Sequence, residues 1–293
     1  MFLFLGILLL KKTVLRVIFL QNRTDLALES FEAEGKTALD GVIVREENGV
    51  TTVDVVNENG AAAIGKPVGR YITLEVNSFV NDTDIFDGRL EDFSAILRPL
   101  LPEESGSILI AGLGNTNITA DALGPKTGEY ILSTRHIIND LKRTFDAENI
   151  ASVACVATGV LGDTGIETAE IIRGVASQIE PSCVIVVDAL AASSAERLGT
   201  TVQFSDSGIS PGSGVGNHRH EISRSTLGVP VISVGIPTVV SVAAINRAIG
   251  SGAYVTPREI DRIIQQGAKL IGMGINVALQ PHLSARDIYA LVG

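Results

Sequence analysis

The chain has 293 residues, 45% of them hydrophobic, with 30 glycines and a formal net charge of −10 at pH 7. That length and apolar content supply a large globular core, while the negative balance leaves no general basic field to gather nucleic acid. The two cysteines, Cys155 and Cys183, sit inside apolar runs, so they read as reduced core thiols and not as a disulfide framework.

Residues 1–10 are almost wholly apolar; Lys11 and Lys12 follow, and 14–20 is apolar again around Arg16. A signal peptide carries its charge before the apolar stretch and a small-residue cleavage site after it, and the unbroken run is too short to span a bilayer. The segment reads as a removable leader, or as upstream sequence included by a wrongly chosen start.

Residues 40–56 read as a hairpin, with the turn at Glu46-Glu47-Asn48-Gly49, and 69–76 as a third strand. Strand and helix then alternate. A helix over 90–100 is closed by Pro102, followed by a buried strand at 107–112, a helix over 126–141, a strand at 152–157 and a helix over 165–179. Further strands are expected at 184–187, 200–204 and 231–235, then a helix over 238–249. Thr256 and Pro257 open a last helix as cap and first residue, continued by 260–279. The pattern implies an α/β fold: a mostly parallel sheet with helices on both faces, the hairpin forming an antiparallel extension or a small lobe.

Asp121 and Asp188 each lie just past a run that reads as a buried strand. The carboxyl ends of parallel strands face one crevice, where two carboxylates can share a proton and divide acid and base work. Each is equally suited to capping the helix that follows. Gly112-Leu113-Gly114-Asn115 lacks the third spaced glycine of a dinucleotide fingerprint and suits a tight turn shaping a pocket. Thr164 or Asp163 can cap the helix after 152–157, with Glu167 answering as in a capping box, on the rim of the same crevice. The loop 205–217, rich in glycine and serine, is open enough for an extended peptide to come close. His136, His218, His220 and His282 are too scattered for a zinc set, and no Gly-x-Ser-x-Gly elbow or reactive thiol is evident.

Several motifs occur together in one order: Arg23-Thr24-Asp25-Leu26-Ala27-Leu28-Glu29, the 112–125 turn, Thr164-Gly165-Ile166-Glu167-Thr168, Val187-Asp188-Ala189-Leu190-Ala191-Ala192, the 205–217 loop, and Val255-Thr256-Pro257-Arg258-Glu259. In these the chain resembles the germination protease of spore-forming Firmicutes, an endopeptidase that degrades small acid-soluble spore proteins. The resemblance implies an atypical acid protease made as a zymogen, homotetrameric, located in the cytoplasm of the forespore or spore core, and related in fold to hydrogenase-maturation peptidases. It implies no cofactor, no metal, no direct nucleic-acid partner and no membrane partner.

By motif the essential pair falls on Asp121 and Asp188, with Asn115, Thr164, Glu167, Ser213 and Gly214 as substrate-binding residues. Family substrates are cut after the acidic residue of a Thr-Glu-Ile-Ala-Ser-Glu-like site, and residues 24–29 have that form. The resemblance therefore implies self-processing between Asp25 and Leu26, with 1–25 as leader or propeptide and 26–293 as a single peptidase domain. The apolar start departs from the short polar propeptides of the family, and the chain is shorter between Ile249 and Tyr254. A metal-dependent peptidase and a protein that binds spore proteins without cutting them are the alternative readings.

Overall fold

The computed structural model describes residues 24–35, 38–76, 78–80, 84–103, 106–141, 150–216, 219–245 and 253–293. Most of the expected leader, and Asn217, His218 and 246–249, lie outside the described residues.

A short helix α1 (Ala27–Ala33) precedes the hairpin β1 (Val42–Glu47) and β2 (Val50–Val55), then α2 (Glu58–Ile64) and β3 (Gly69–Glu75). Asn48 and Gly49, with φ of 50° and 75°, make the two-residue turn whose twist suits paired antiparallel strands. Next come α3 (Arg89–Leu97), β4 (Ile108–Leu113), α4 (Leu123–Gly128), α5 (Arg135–Leu141), β5 (Val153–Gly159) and α6 (Thr168–Ile179). The chain ends with β6 (Cys183–Ala192), β7 (Thr201–Ser205), β8 (Val231–Ser241), β9 (Tyr254–Val255), α7 (Ile260–Leu279) and α8 (Ala285–Val292).

All the strands join one sheet, in the order β1-β2-β3-β7-β8-β6-β4-β5, with β9 pairing β8. Strands β8, β6, β4 and β5 run parallel, whereas β7, β3, β2, β1 and β9 join antiparallel. The sheet is thus mixed and not purely parallel: β8, β6, β4 and β5 form the expected parallel part, and the front hairpin joins it as an antiparallel extension through β3 and β7.

Alternate residues of the parallel strands serve opposite faces, as the two-residue pleat period requires. Ile108 and Ile110 of β4, with Ile185 and Val187 of β6, pack under α3, α4 and α7. Leu109 and Ala111, with Val184 and Val186, pack under Ala169, Ile172 and Ala176 of α6. On the first face the rings of Phe93 and Phe204 meet edge to face at 4.8 Å between centroids. A third cluster joins Ala27 and Leu28 to Val53, Val55 and Tyr71, fastening α1 to the hairpin half.

Four sequence expectations change. The helix expected over 126–141 is broken between Gly128 and Arg135. There Asn276 of α7 satisfies the non-helical backbone, accepting from the Leu132 N–H at 2.9 Å and donating to the Tyr130 carbonyl at 2.7 Å. Strand β6 runs on to Ala192 and β8 to Ser241, so β-branched residues expected in a helix over 238–249 pair with β6 instead. Among the described residues of that stretch, Val242–Ile245 makes a helical turn. Thr256 does not cap α7; its hydroxyl donates to the Thr238 carbonyl at 2.8 Å, and the helix begins at Ile260. Helix α8, capped by Ser284, adds an element that the chain pattern did not signal.

Burial pushes the Cys155 thiol up to about 11 and the Cys183 thiol to about 12, consistent with core residues. No helix among the described residues is long and apolar enough to cross a membrane.

Candidate functional site

The site forms where the parallel strands change direction of travel. From β4 the chain crosses to β5 on one side, then crosses back over β4 to β6 on the other. In such sheets the crevice outside the carboxyl ends opens at this switch. β4 pairs β6 only as far as Gly112 with Val187, so Asp188 is the first residue of β6 beyond that pairing. Asp188 sits inside a strand, paired with Gly235 of β8, and not at a helix start.

Asp121 reaches the same crevice because two glycines let the following helix lie directly on the strand ends. A Cβ on Gly124 would stand 2.3 Å from the Leu113 carbonyl oxygen and 2.5 Å from that of Val187; one on Gly112 would stand 2.3 Å from the Gly124 carbonyl oxygen. The turn is closed by the Asn115 N–H, which donates to the Asp121 carbonyl at 3.1 Å and to its Oδ2 at 2.9 Å. Asp121 ends a turn of 3-10 helix, and Ala122 occupies the cap position of α4 without a side-chain cap. Neither aspartate is therefore a helix cap.

Both carboxyls border a cavity of about 480 Å³ that Asn115, Glu167, Arg219 and Tyr254 also line. Asp188 is buried, at 6% exposure, and its carboxyl is held well above the ordinary carboxylate range. Burial is the main cause; the charges of Asp121 and Asp25 add to it, and the Ala189 N–H on Oδ1 opposes it. Burial likewise raises Asp121, against the hydrogen bond from Asn115. Both carboxyls thus favour the protonated form more than free ones do, and the charge of Asp121 acts on Asp188.

Across this crevice lies the chain's own segment from Thr24 to Ala27. The Asp25 N–H donates to the Ala191 carbonyl at 2.8 Å, and the Ala191 N–H returns a 2.8 Å bond to Asp25 Oδ2. Oδ1 accepts from the Ser213 hydroxyl and the Gly214 N–H, both at 2.8 Å. The Asp25 carbonyl accepts from Lys66 Nζ and Gln203 Nε2, both at 3.0 Å. Downstream, the buried Glu29 accepts from the Ser193 N–H at 2.7 Å and the Ser194 N–H at 3.0 Å, and also from the Thr24 hydroxyl.

The structure thus gathers Asp121, Asp188, Asn115, Glu167, Ser213, Gly214 and Asp25 around one crevice, with Leu26 wholly buried beside it. Thr164 is exposed and outside the cavity lining; its hydroxyl accepts from the Ile166 N–H at 3.1 Å and ties its own turn. Glu167 is itself the residue preceding α6, with Glu170 answering as its capping partner, and stands 3.7 Å from Arg219. Lys66 and Gln203, which belong to none of the motifs, contact the 24–27 segment, as does Glu29 of the 23–29 motif. Gln203 offers one signal, a polar side chain inside the apolar strand Val202-Gln203-Phe204; Lys66, beside Gly65, carries no local signal of its role. Among the described residues no three His, Cys, Asp or Glu side chains gather as metal ligands; His218 lies outside the described residues.

The model of the germination protease family matches residues 22–250 of the chain. A germination protease of Clostridium perfringens is 40% identical, covering 91% of this chain and 97% of its own length. One from Caldanaerobacter subterraneus subsp. tengcongensis is 39% identical over 94% and 99%, and one from Bacillus velezensis is 46% identical over 76% and 64%. Among solved structures, the [NiFe] hydrogenase maturation protease HycI from Thermococcus kodakarensis KOD1 aligns with 62% of the chain and 99% of its own, at 18% identity and a TM-score of 0.36.

Proposed function

This chain belongs to the germination protease family, and from that premise we propose that it is an aspartate-dependent endopeptidase that cuts small acid-soluble spore proteins after an acidic residue and matures by cutting itself between Asp25 and Leu26. The observation that carries this reading is the seat of Asp25. Its carboxylate is held by the Ser213 hydroxyl and by the N–H groups of Gly214 and Ala191, in the crevice that Asp121 and Asp188 border. A site built from three donors accepts an acidic side chain and penalises an apolar one, because the donors would be left unpaired.

In the mechanism, one of Asp121 and Asp188 is ionised and takes a proton from the attacking water. The other is protonated and assists the oxygen or the departing nitrogen. Their raised affinity for protons keeps that half-protonated state available at mild acidity. Asn115 acts by holding the Asp121 carboxyl, Ser213 and Gly214 by holding the acidic residue before the cut. Thr164 acts on the rim only through the turn that it ties.

The test is to incubate the full chain and a Thr-Glu-Ile-Ala-Ser-Glu peptide at mildly acidic pH and read both by mass. A new N-terminus at Leu26, peptide cut after its first Glu, and loss of both in Asp121→Asn and Asp188→Asn support the reading. Robust cleavage by either variant refutes the dyad. Activity abolished by a chelator and restored by one metal would favour the metal-dependent alternative; retained peptide binding without cleavage would favour the binding protein. A homotetramer, and residence in the forespore or spore core, follow from the family resemblance. Sedimentation and cell fractionation test them.

A further inference from the structure

Lys66 and Gln203 converge on an atom that the acidic pair does not contact in any hydrogen bond, the carbonyl oxygen of Asp25. Lys66 follows Gly65, whose φ of 65° ends α2 and turns the chain back toward the crevice. Its Nζ donates to the Thr24 carbonyl at 2.8 Å and to the Asp25 carbonyl at 3.0 Å. Gln203 reaches the same oxygen from β7, donating from Nε2 at 3.0 Å, while its Oε1 accepts from the Ala27 N–H at 3.3 Å. One buried amide therefore brackets the Asp25–Leu26 bond, fixing the carbonyl before it and the N–H one residue after it.

The choice of partner is the informative part. An ammonium near two carboxylates ordinarily pairs with them. Here the Asp25 carboxylate is taken by Ser213, Gly214 and Ala191, and the Glu29 carboxylate by Ser193, Ser194 and Thr24. The hydrogen bonds of Lys66 go to carbonyl oxygens instead, with the two carboxylates close enough to offset in part the cost of burying its charge. A cation aimed at a neutral carbonyl gains most when that oxygen becomes negative. Donors about 2.7–3.1 Å from such an oxygen are what stabilises a tetrahedral adduct.

We infer that Lys66 and Gln203 form the oxyanion site for hydrolysis of the Asp25–Leu26 bond and of substrate bonds seated in its place. This rests on the proposed cut after Asp25. Water adds to the Asp25 carbonyl carbon and its proton passes to the ionised aspartate. The carbonyl oxygen turns negative between Lys66 and Gln203. The adduct collapses with cleavage of the bond to the Leu26 nitrogen, which leaves as an amine with the proton of the second aspartate. With the oxygen served by Lys66 and Gln203, that second aspartate is free to serve the nitrogen.

The experiment follows self-cleavage of the full-length protein as a first-order rate across pH, read by mass, in the parent and in Lys66→Met, Lys66→Arg, Gln203→Leu and Asp188→Asn. The expected result is a loss of roughly 10²–10³-fold in Lys66→Met and in Gln203→Leu, the range for removal of one oxyanion donor. Lys66→Arg should recover part of the rate, because a guanidinium restores a charged donor near the carbonyl oxygen, while the fade toward neutrality set by the aspartate pair stays as in the parent. Cleavage by folded Lys66→Met and Gln203→Leu within about threefold of the parent, with Asp188→Asn inactive, overturns this inference and leaves the dyad standing. A parent that never cuts after Asp25 overturns the underlying reading and this inference with it. Should Lys66→Met fail to fold, Gln203→Leu decides: folded Gln203→Leu that cleaves within about threefold of the parent overturns the assignment.

Discussion

Ser213 Oγ donates a 2.8 Å hydrogen bond to Asp25 Oδ1, joining a loop turn to a segment 188 residues earlier in the chain. The bond ends on a charged acceptor, a class whose members contribute about 1.5–3 kcal/mol each. Ser213→Ala should therefore slow self-cleavage roughly tenfold, and Asp25→Asn, which weakens all three bonds to the carboxylate, roughly 10²-fold or more. Gly214→Ala should be worse than Ser213→Ala. Its Cβ would stand 2.4 Å from Asp25 Oδ2 and 2.8 Å from the Ala191 Cβ. Time courses by intact mass rank the three; parental rates in all of them would remove the acidic-residue pocket.

The raised affinities of Asp121 and Asp188 set a pH dependence with a definite sign. Burial, the leading cause for both, favours the neutral acid in the folded state. Between the ordinary Asp value of about 3.9 and its raised folded value, Asp188 binds more protons folded than unfolded, so its contribution to stability falls as pH rises through that window. Thermal melts of Asp121→Asn and of Asp121→Asn with Asp188→Asn, neither of which should self-cleave, isolate the effect. The double variant should melt higher at pH 7, with the difference closing below about pH 4. A difference that stays constant with pH would contradict the assignment. Self-cleavage by the parent should correspondingly fade toward neutrality as the shared proton is lost.

Glu29 offers an independent handle on how the segment is seated. Its buried carboxylate accepts from the Ser193 and Ser194 N–H groups at 2.7 and 3.0 Å, at the end of β6 whose Ala191 holds Asp25. Glu29→Gln keeps the shape but puts an amide nitrogen where one backbone donor points, which unpairs a buried group at a cost of about 1–3 kcal/mol. The variant should lose that much stability by urea denaturation and process more slowly. Processing at the parental rate in a destabilised Glu29→Gln would confine the residue to a structural role.

The sequence disclosed the chemistry better than the architecture around it. Asp121 and Asp188 were visible because each follows an apolar run, and the structure draws both to the β4/β6 switch. The glycines at 112 and 114 were visible as a turn, but their purpose, close backbone packing against Gly124 and Asp121, depends on the tertiary fold. Residues 238–241, expected in a helix, belong to β8, because a β-branched run after a short strand does not say whether the strand continues, and its pairing with β6 decides it. The break between Gly128 and Arg135 depends on Asn276, more than a hundred residues away, and no local pattern carries that information. Lys66 and Gln203 were missed for the same reason, since their partners are carbonyls of a distant segment.

Gly124 ties stability directly to the site. A methyl group there would meet the Leu113 nitrogen at 2.4 Å, the Leu113 carbonyl oxygen at 2.3 Å and the Val187 carbonyl oxygen at 2.5 Å, all main-chain atoms of the two strands that flank the crevice. None of these can rotate aside like a side-chain tip, so α4 must lift from the sheet. Overpacking of this kind costs roughly 1–3 kcal/mol, and more where backbone must move. The displacement passes to Asp121, which lies three residues before Gly124 and is held by the Asn115 N–H at 2.9 Å. Gly124→Ala should therefore lose both stability and self-cleavage. Gly174→Ala is the control: a Cβ there meets nothing within 4 Å on the outer helix α6, and replacing a mid-helix glycine should add about 0.5–1 kcal/mol. Urea titrations of the two variants, paired with cleavage rates at equal folded fraction, separate the effects. If Gly124→Ala cleaves normally once its unfolded fraction is discounted, the packing of α4 on the strand ends does not set the position of Asp121.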